Sequence, residues 1–185
     1  MRVLGLSGSP RRDGNTDNAV KIVLETLRDM GAETLFLRVG DFRIEPCRGC
    51  RDCMKTGECS IKDDDFQKLL DEVMKSDLLI LGAPVYWFAP PGVMKNFIDR
   101  THGFYLDKSR LKGKMFAIIS VAADSGFETH ERIMSWLRMY GATLIAKVRV
   151  YAREKGDLER RPREVRKLKR FAEEVAVKAG LKKAV

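Results

Sequence analysis

This 185-residue chain has no long apolar run, two histidines, four amide side chains and cysteines in one place only. No stretch approaches the roughly 20 apolar residues that a membrane span needs, which excludes one. The opening Met-Arg-Val-Leu-Gly-Leu enters a strand-like segment without the apolar core and cleavage site of a secretory leader, so the expected compartment is the cytoplasm. His102 and His130 stand alone and read as surface or helix-end residues. No Ser/His/Asp or Cys/His hydrolase set emerges, and no catalytic residue is assigned. Gly-x-Gly-x-x-Gly is missing, and so is Gly-Lys-Ser/Thr, which removes the dinucleotide fingerprint and the triphosphate loop. The only amides are Asn15, Asn18, Asn96 and Gln67, against a charged fraction of 33%, a balance that leans towards heat-adapted proteins.

What is present fits one domain, residues 1–185. The hydrophobic fraction is 44%, enough for a sizeable core at this length. The net charge of +9 is uneven: residues 160–185 hold ten Lys/Arg and three acids, which accounts for +7 of it. The basic segment 160–183 has apolar residues at helical spacing (Val165, Leu168, Ala172, Val175, Ala179), so it reads as a sheet-covering helix with a solvated cationic face.

Five strand-like segments, 3–7, 34–39, 78–85, 115–122 and 143–150, alternate with helical patterns. Strict alternation implies a parallel sheet covered on both faces, a three-layer α/β sandwich. Segments one, three and four are nearly unbroken apolar runs, as central strands should be. Segment two carries Arg38 and segment five alternates Lys147 and Arg149 with Val148 and Val150, which marks both as edges. That pattern fits the flavodoxin-like order 2-1-3-4-5. Asp63 to Asp65 read as a helix start, not as paired catalytic carboxylates. Residues 40–62 are too long for an ordinary connection and need something to hold them.

In such a sheet a ligand sits beyond the carboxyl ends of the strands, where the strand order reverses. The loop there offers Ser9, Arg11, Asn15 and Thr16 ahead of a helix start, a site for one compact dianion such as a phosphate monoester. The plain alternative is a turn and cap that binds nothing. Asp13 is expected to point to solvent. The loop after the third strand is Pro84-Val85-Tyr86-Trp87 followed by Phe88-Ala89-Pro90-Pro91-Gly92. It suits a flat aromatic ligand, its backbone reading the polar edge and its side chains covering the face; core packing or a subunit interface is the alternative. The loop after the fourth strand, Ala123-Asp124-Ser125-Gly126, should close the third side. Phosphate loop and aromatic loop at one switch point favour flavin mononucleotide (FMN).

Cys47, Cys50, Cys53 and Cys59 occupy the unexplained loop with spacing C-x2-C-x2-C-x5-C. A reducing compartment disfavours disulfides. Structural zinc usually takes two separated pairs, whereas three ligands at two-residue gaps resemble the run that wraps a cubane cluster. A [4Fe–4S] cluster leads; zinc and free thiols remain open. Gly49 and Gly57 would allow the turns, and Arg48, Arg51 and Lys55 would offset the charge.

Gly-Ser-Pro-Arg-Arg-Asp-Gly-Asn-Thr, the cysteine run, Ile-Lys-Asp-Asp-Asp, and Pro-Val-Tyr-Trp followed by Met-Lys-Asn-Phe-Ile-Asp-Arg together resemble the iron–sulfur flavoproteins of the NADPH-dependent FMN reductase superfamily, over roughly residues 1–150. The resemblance implies a flavodoxin-like fold, a homodimer or homotetramer, FMN, a [4Fe–4S] cluster and electrons from ferredoxin. It places Ser9, Arg11, Asn15 and Thr16 on the FMN phosphate, Pro84 to Trp87 on the ring, and the four cysteines on the cluster. Phe88-Ala89-Pro90-Pro91 departs from the smaller or more polar residues usual there. The expected activity is electron transfer from a ferredoxin-like donor, or NAD(P)H, to a small-molecule acceptor. A plain NAD(P)H-dependent FMN or quinone reductase without a cluster is the runner-up. A zinc-stapled, basic nucleic-acid binder is third, weakened because Phe171 is the only aromatic in the basic segment.

Overall fold

The computed structural model describes residues 1–181. Lys182 and Lys183, the end of the expected basic helix, lie outside the described residues. Eleven regular elements follow in order: β1 Arg2–Ser7, α1 Asn15–Asp29, β2 Glu33–Arg38, α2 Cys53–Thr56, α3 Phe66–Lys75, β3 Leu78–Pro84, α4 Gly92–Arg100, β4 Met115–Ala122, α5 Phe127–Met134, β5 Thr143–Tyr151 and α6 Pro162–Lys178. The strands form one sheet of order β2-β1-β3-β4-β5, and every pairing is parallel. The fold is flavodoxin-like.

Period-two alternation sorts the central strands between two cores. Val3, Leu78, Ile80, Ala117 and Ile119 face α1 and α6. Leu4, Leu6, Leu79, Leu81, Phe116 and Ile118 face α3, α4 and the turn at Trp136–Tyr140. With both faces covered, these strands need apolar residues at every position. Gly5 and Gly82 let α1 sit close: a Cβ at Gly5 would stand 2.4 Å from Leu24, and one at Gly82 would stand 2.4 Å from Val20. The basic segment packs as expected, with Leu168, Phe171, Ala172 and Val175 buried under α6. No helix among the described residues is long and apolar enough to cross a membrane.

The order of strands matches the expectation, but one reason given for it does not. Arg38 is not a solvated edge residue; it is buried. Its Nε donates to Asp17 Oδ2 at 2.8 Å, its side chain also reaches Asp41, and Nη2 donates to the Ser9 carbonyl at 3.2 Å. Its burial follows from Asp17, which sits at 0% exposure in the first turn of α1. A buried carboxylate needs a partner, and β2 supplies it.

Candidate functional site: a phosphate loop, an aromatic turn and a cysteine cavity

The loop between β1 and α1 is built around Asp17. Its carboxylate accepts from Ser7 Oγ at 2.5 Å, from the Asp13 backbone N–H at 2.8 Å and from Arg38. Ser9 Oγ accepts from the Arg11 N–H at 3.1 Å. No side chain caps the start of α1, so the first N–H groups of a 15-residue helix open into a cleft lined by Ser9, Arg11, Gly14, Asn15 and Thr16. Unpaired N–H groups, the positive end of the helix dipole and a guanidinium make an anion site. Asp13 points away, paired with Lys21 at 3.0 Å.

Pro84, Val85 and Tyr86 form the facing wall of the same cleft. The chain beyond them folds into a two-residue turn: the Tyr86 N–H donates to Ala89 O at 2.8 Å and the Ala89 N–H to Tyr86 O at 3.0 Å. The turn forces Trp87 and Phe88 to φ of +48° and +65°, a conformation that bulky residues rarely adopt. Both rings are thrown outward, with Trp87 93% exposed. Trp87 is thus not brought to the cleft by its own side chain. Ser125 and Gly126 also stand back. Ser125 Oγ donates to Asp124 at 3.0 Å, while Gly126 lies under the turn, where a Cβ would meet Val85 at 2.9 Å. Of the loop after β4 only Ala123 lines the third side, joined by Val121, Ala122, Ala152 and Arg153.

Arg153 belongs to a segment that sequence reasoning missed. Residues 152–161 fold back over the phosphate loop. Asn15 uses both ends of its amide there, Nδ2 donating to Glu154 O at 2.8 Å and Oδ1 accepting from the Leu158 N–H at 3.2 Å. Asn15 therefore offers the cleft its backbone N–H, while its side chain fixes the segment that carries Arg153. The signal available was Asp157, whose carboxylate caps Arg153 and Glu154 and pairs with Arg160; the Arg160 contact first, then the two backbone bonds, hold its pKa at about 2.

His130, expected at the surface, is fully buried in α5. Its Nδ1 lies 2.9 Å from Ser120 Oγ on β4, and Nε2 has no partner. Burial lowers its pKa to about 4, against the pull of Glu131 and of the Pro84 carbonyl. It sits beneath the wall that Pro84 begins.

The cysteines line a separate cavity of about 530 Å³ together with Arg48, Arg51, Arg100 and His102. None of the four forms a disulfide. Gly49, Arg51 and Gly57 have positive φ, which gives the tight turns expected at the two glycines; Lys55 does not line the cavity. His102 joins this site and not the cleft beside the loop after β1, its ring stacked on Tyr105 at 6.2 Å. Cys53 is pushed above its ordinary pKa, by burial first and then by the neighbouring thiols. Among the described residues no three His, Cys, Asp or Glu side chains form a group placed to hold a metal ion. Four thiol side chains lining one cavity are the donor set that either a zinc ion or an iron–sulfur cluster would use.

The chain matches the NADPH-dependent FMN reductase family over residues 1–157. It belongs to that family.

Within it, this flavoprotein is 35% identical over 131 residues to an iron-sulfur flavoprotein of Methanocaldococcus jannaschii, covering 70% of this chain and 67% of that one. An iron-sulfur flavoprotein of Methanosarcina thermophila is 30% identical over 148 residues, with 78% and 77% covered. The chain spans 57% of the length of one Archaeoglobus fulgidus iron-sulfur flavoprotein, at 33% identity. In fold it resembles an NAD(P)H:quinone oxidoreductase from Methanothermobacter marburgensis, with TM-score 0.79 and 17% identity over 95% of this chain and 96% of that one. The flavoprotein is a flavin-dependent oxidoreductase, and FMN is the flavin of its family.

Proposed function

We propose that this flavoprotein carries single electrons from a ferredoxin-like protein donor, through a [4Fe–4S] cluster on Cys47, Cys50, Cys53 and Cys59, to FMN and on to a small-molecule acceptor. The observation that carries the reading is α4. It starts at the aromatic turn of the flavin cleft and ends with Arg100 at the cysteine cavity. Nine helical residues span only about 13 Å, so one helix joins the turn beside the cleft to the cysteine cavity, which supports a short path between two redox groups. FMN supplies the capacity to hold one or two electrons, which joins a one-electron donor to a two-electron acceptor.

Ser9, Arg11, Thr16 and the N–H groups of Asn15 and Thr16 hold the phosphate. Pro84, Val85 and Tyr86 flank the ring, with the Trp87 backbone at its edge and Ser125 and Gly126 supporting the turn. The names of the relatives support the cluster, as does the presence of all four cysteines on one cavity. Assembly as a homodimer or homotetramer would cover the exposed Trp87 and Phe88.

Anaerobic purification with iron supplied, followed by absorption spectroscopy and iron and sulfide analysis, tests the reading. Flavin bands over a broad shoulder, with four iron and four sulfide per chain as expected for the cubane, are the expected result. Reduced ferredoxin should bleach the flavin faster than NADPH does, and Cys50→Ala should lose iron while keeping flavin. FMN without iron, reduced directly by NADPH, would establish instead the cluster-free reductase that the family name favours.

A further inference from the structure

Arg100 closes the Met-Lys-Asn-Phe-Ile-Asp-Arg run, and nothing in flavin binding accounts for it. Its side chain is wholly buried, and all five of its N–H bonds are used. One Nη1 hydrogen goes to Glu45 O at 2.9 Å and the other to Asp64 Oδ2 at 2.7 Å. Nη2 donates to Ile61 O at 3.0 Å and to Asp64 Oδ1 at 3.3 Å. The remaining donor, Nε, goes to Cys59 Sγ at 2.9 Å. The Phe66 ring lies over the guanidinium at 4.6 Å.

Glu45 lies just before the first cysteine and Ile61 just after the last, so one planar fork ties both ends of the cysteine loop. Asp64 strengthens the same closure by accepting from the Glu45 N–H at 2.9 Å. The clamp is complete with the two carbonyls and the carboxylate. The fifth bond is spent on a sulfur that is one of the four proposed ligands. Arg48 and Arg51 also face the cavity, but both are exposed, where solvent screens them. Arg100 acts from the dry side, where a charge and its N–H dipole count for most.

We infer that Arg100 is the positioning residue of the cysteine site: it clamps the loop and hydrogen-bonds the Cys59 sulfur, and so raises the reduction potential of the group held there. The inference rests on the cluster reading above. With a cluster held there, an added electron would place negative charge partly on the thiolates. A charged N–H donor to one of them stabilises the reduced state more than the oxidised one. Lysine cannot replace it, having neither the planar fork nor the fixed Nε direction.

The test uses the full-length protein loaded with FMN and cluster, with Arg100→Lys and Arg100→Gln beside it. Iron, sulfide and flavin contents are measured first. Spectroelectrochemistry then gives the cluster and flavin potentials separately. Both variants should keep FMN and its potential, while the cluster equilibrium shifts about tenfold against reduction, about 59 mV for one electron. The reduced wild-type protein should also show an exchangeable proton coupled to the cluster, absent after equilibration in D2O and absent in Arg100→Lys. That measurement decides the matter if the variants lose iron altogether. Variants with full iron and unchanged potential, or a wild-type cluster without that proton, overturn the role of Arg100 and leave the cluster standing. A wild-type protein with neither iron nor sulfide overturns the cluster reading, and this inference with it.

Discussion

Acid should destabilise this protein through His130 well before its carboxylates protonate. The imidazole is buried against Ser120, and its folded pKa of about 4 lies below the ordinary 6.5. Between those values the unfolded chain binds a proton that the folded one refuses. Stability from this group is therefore fully present above pH 6.5 and is lost as the pH falls towards 4. At 1.36 kcal/mol per unit, the whole difference is about 3 kcal/mol, with about 2 kcal/mol lost between pH 7 and pH 5. The assay is urea unfolding with a fixed excess of FMN at those two pH values, for the wild type and for His130→Asn. Asparagine retains a polar group near Ser120 but does not titrate. Its baseline loss from the smaller side chain is the same at both pH values and cancels in the difference. The variant should therefore lose about 2 kcal/mol less than the wild type on acidification. Equal losses in the two proteins would refute the argument, because they would mean that the folded state accepts the proton without penalty.

Other substitutions probe the two sites. Arg38→Met leaves Asp17 buried without its cation and should cost about 3–5 kcal/mol in urea unfolding, with Asp17→Leu in the same chain restoring much of it; a cost below 1 kcal/mol would show Asp17 to be satisfied by Ser7 and Asp13 alone. Arg11→Ala should weaken FMN binding by about 1.5–3 kcal/mol through the lost charge-assisted phosphate contact; calorimetry giving unchanged affinity would put the phosphate elsewhere. A Cβ at Gly103 would lie 2.5 Å from the Gly57 carbonyl and 3.2 Å from Cys53. Gly103→Ala should thus reduce iron retention without changing flavin content, and equal iron in both proteins would contradict this packing.

Much of the architecture was legible because it rests on local periodicity. Continuous apolar strands between helical repeats imply a covered parallel sheet whatever the details of packing. That Ser9, Arg11, Asn15 and Thr16 share one cleft was legible for a similar reason: hydroxyls and a guanidinium just ahead of a helix start lie together in sequence order. The aromatic loop was only half legible. Pro84, Val85 and Tyr86 line the cleft, but whether the rings of Trp87 and Phe88 face inward depends on the sign of φ in one turn, and both face out.

The residues that escaped the sequence reading are those whose partners lie far along the chain. Asp17 and Arg38 are 21 positions apart, and Arg100 and Cys59 are 41 apart. A lone arginine on a strand looks like an edge charge until a carboxylate is found opposite it. A lone histidine on a helix looks like a surface residue until the sheet behind it is drawn. Composition and spacing therefore determined which elements form and in what order they pair, since those follow from backbone hydrogen bonding and apolar burial. Only the tertiary structure decided which charges are buried and what they hold in place, because dehydrating a charge is tolerable only where distant residues have been brought together to pair with it.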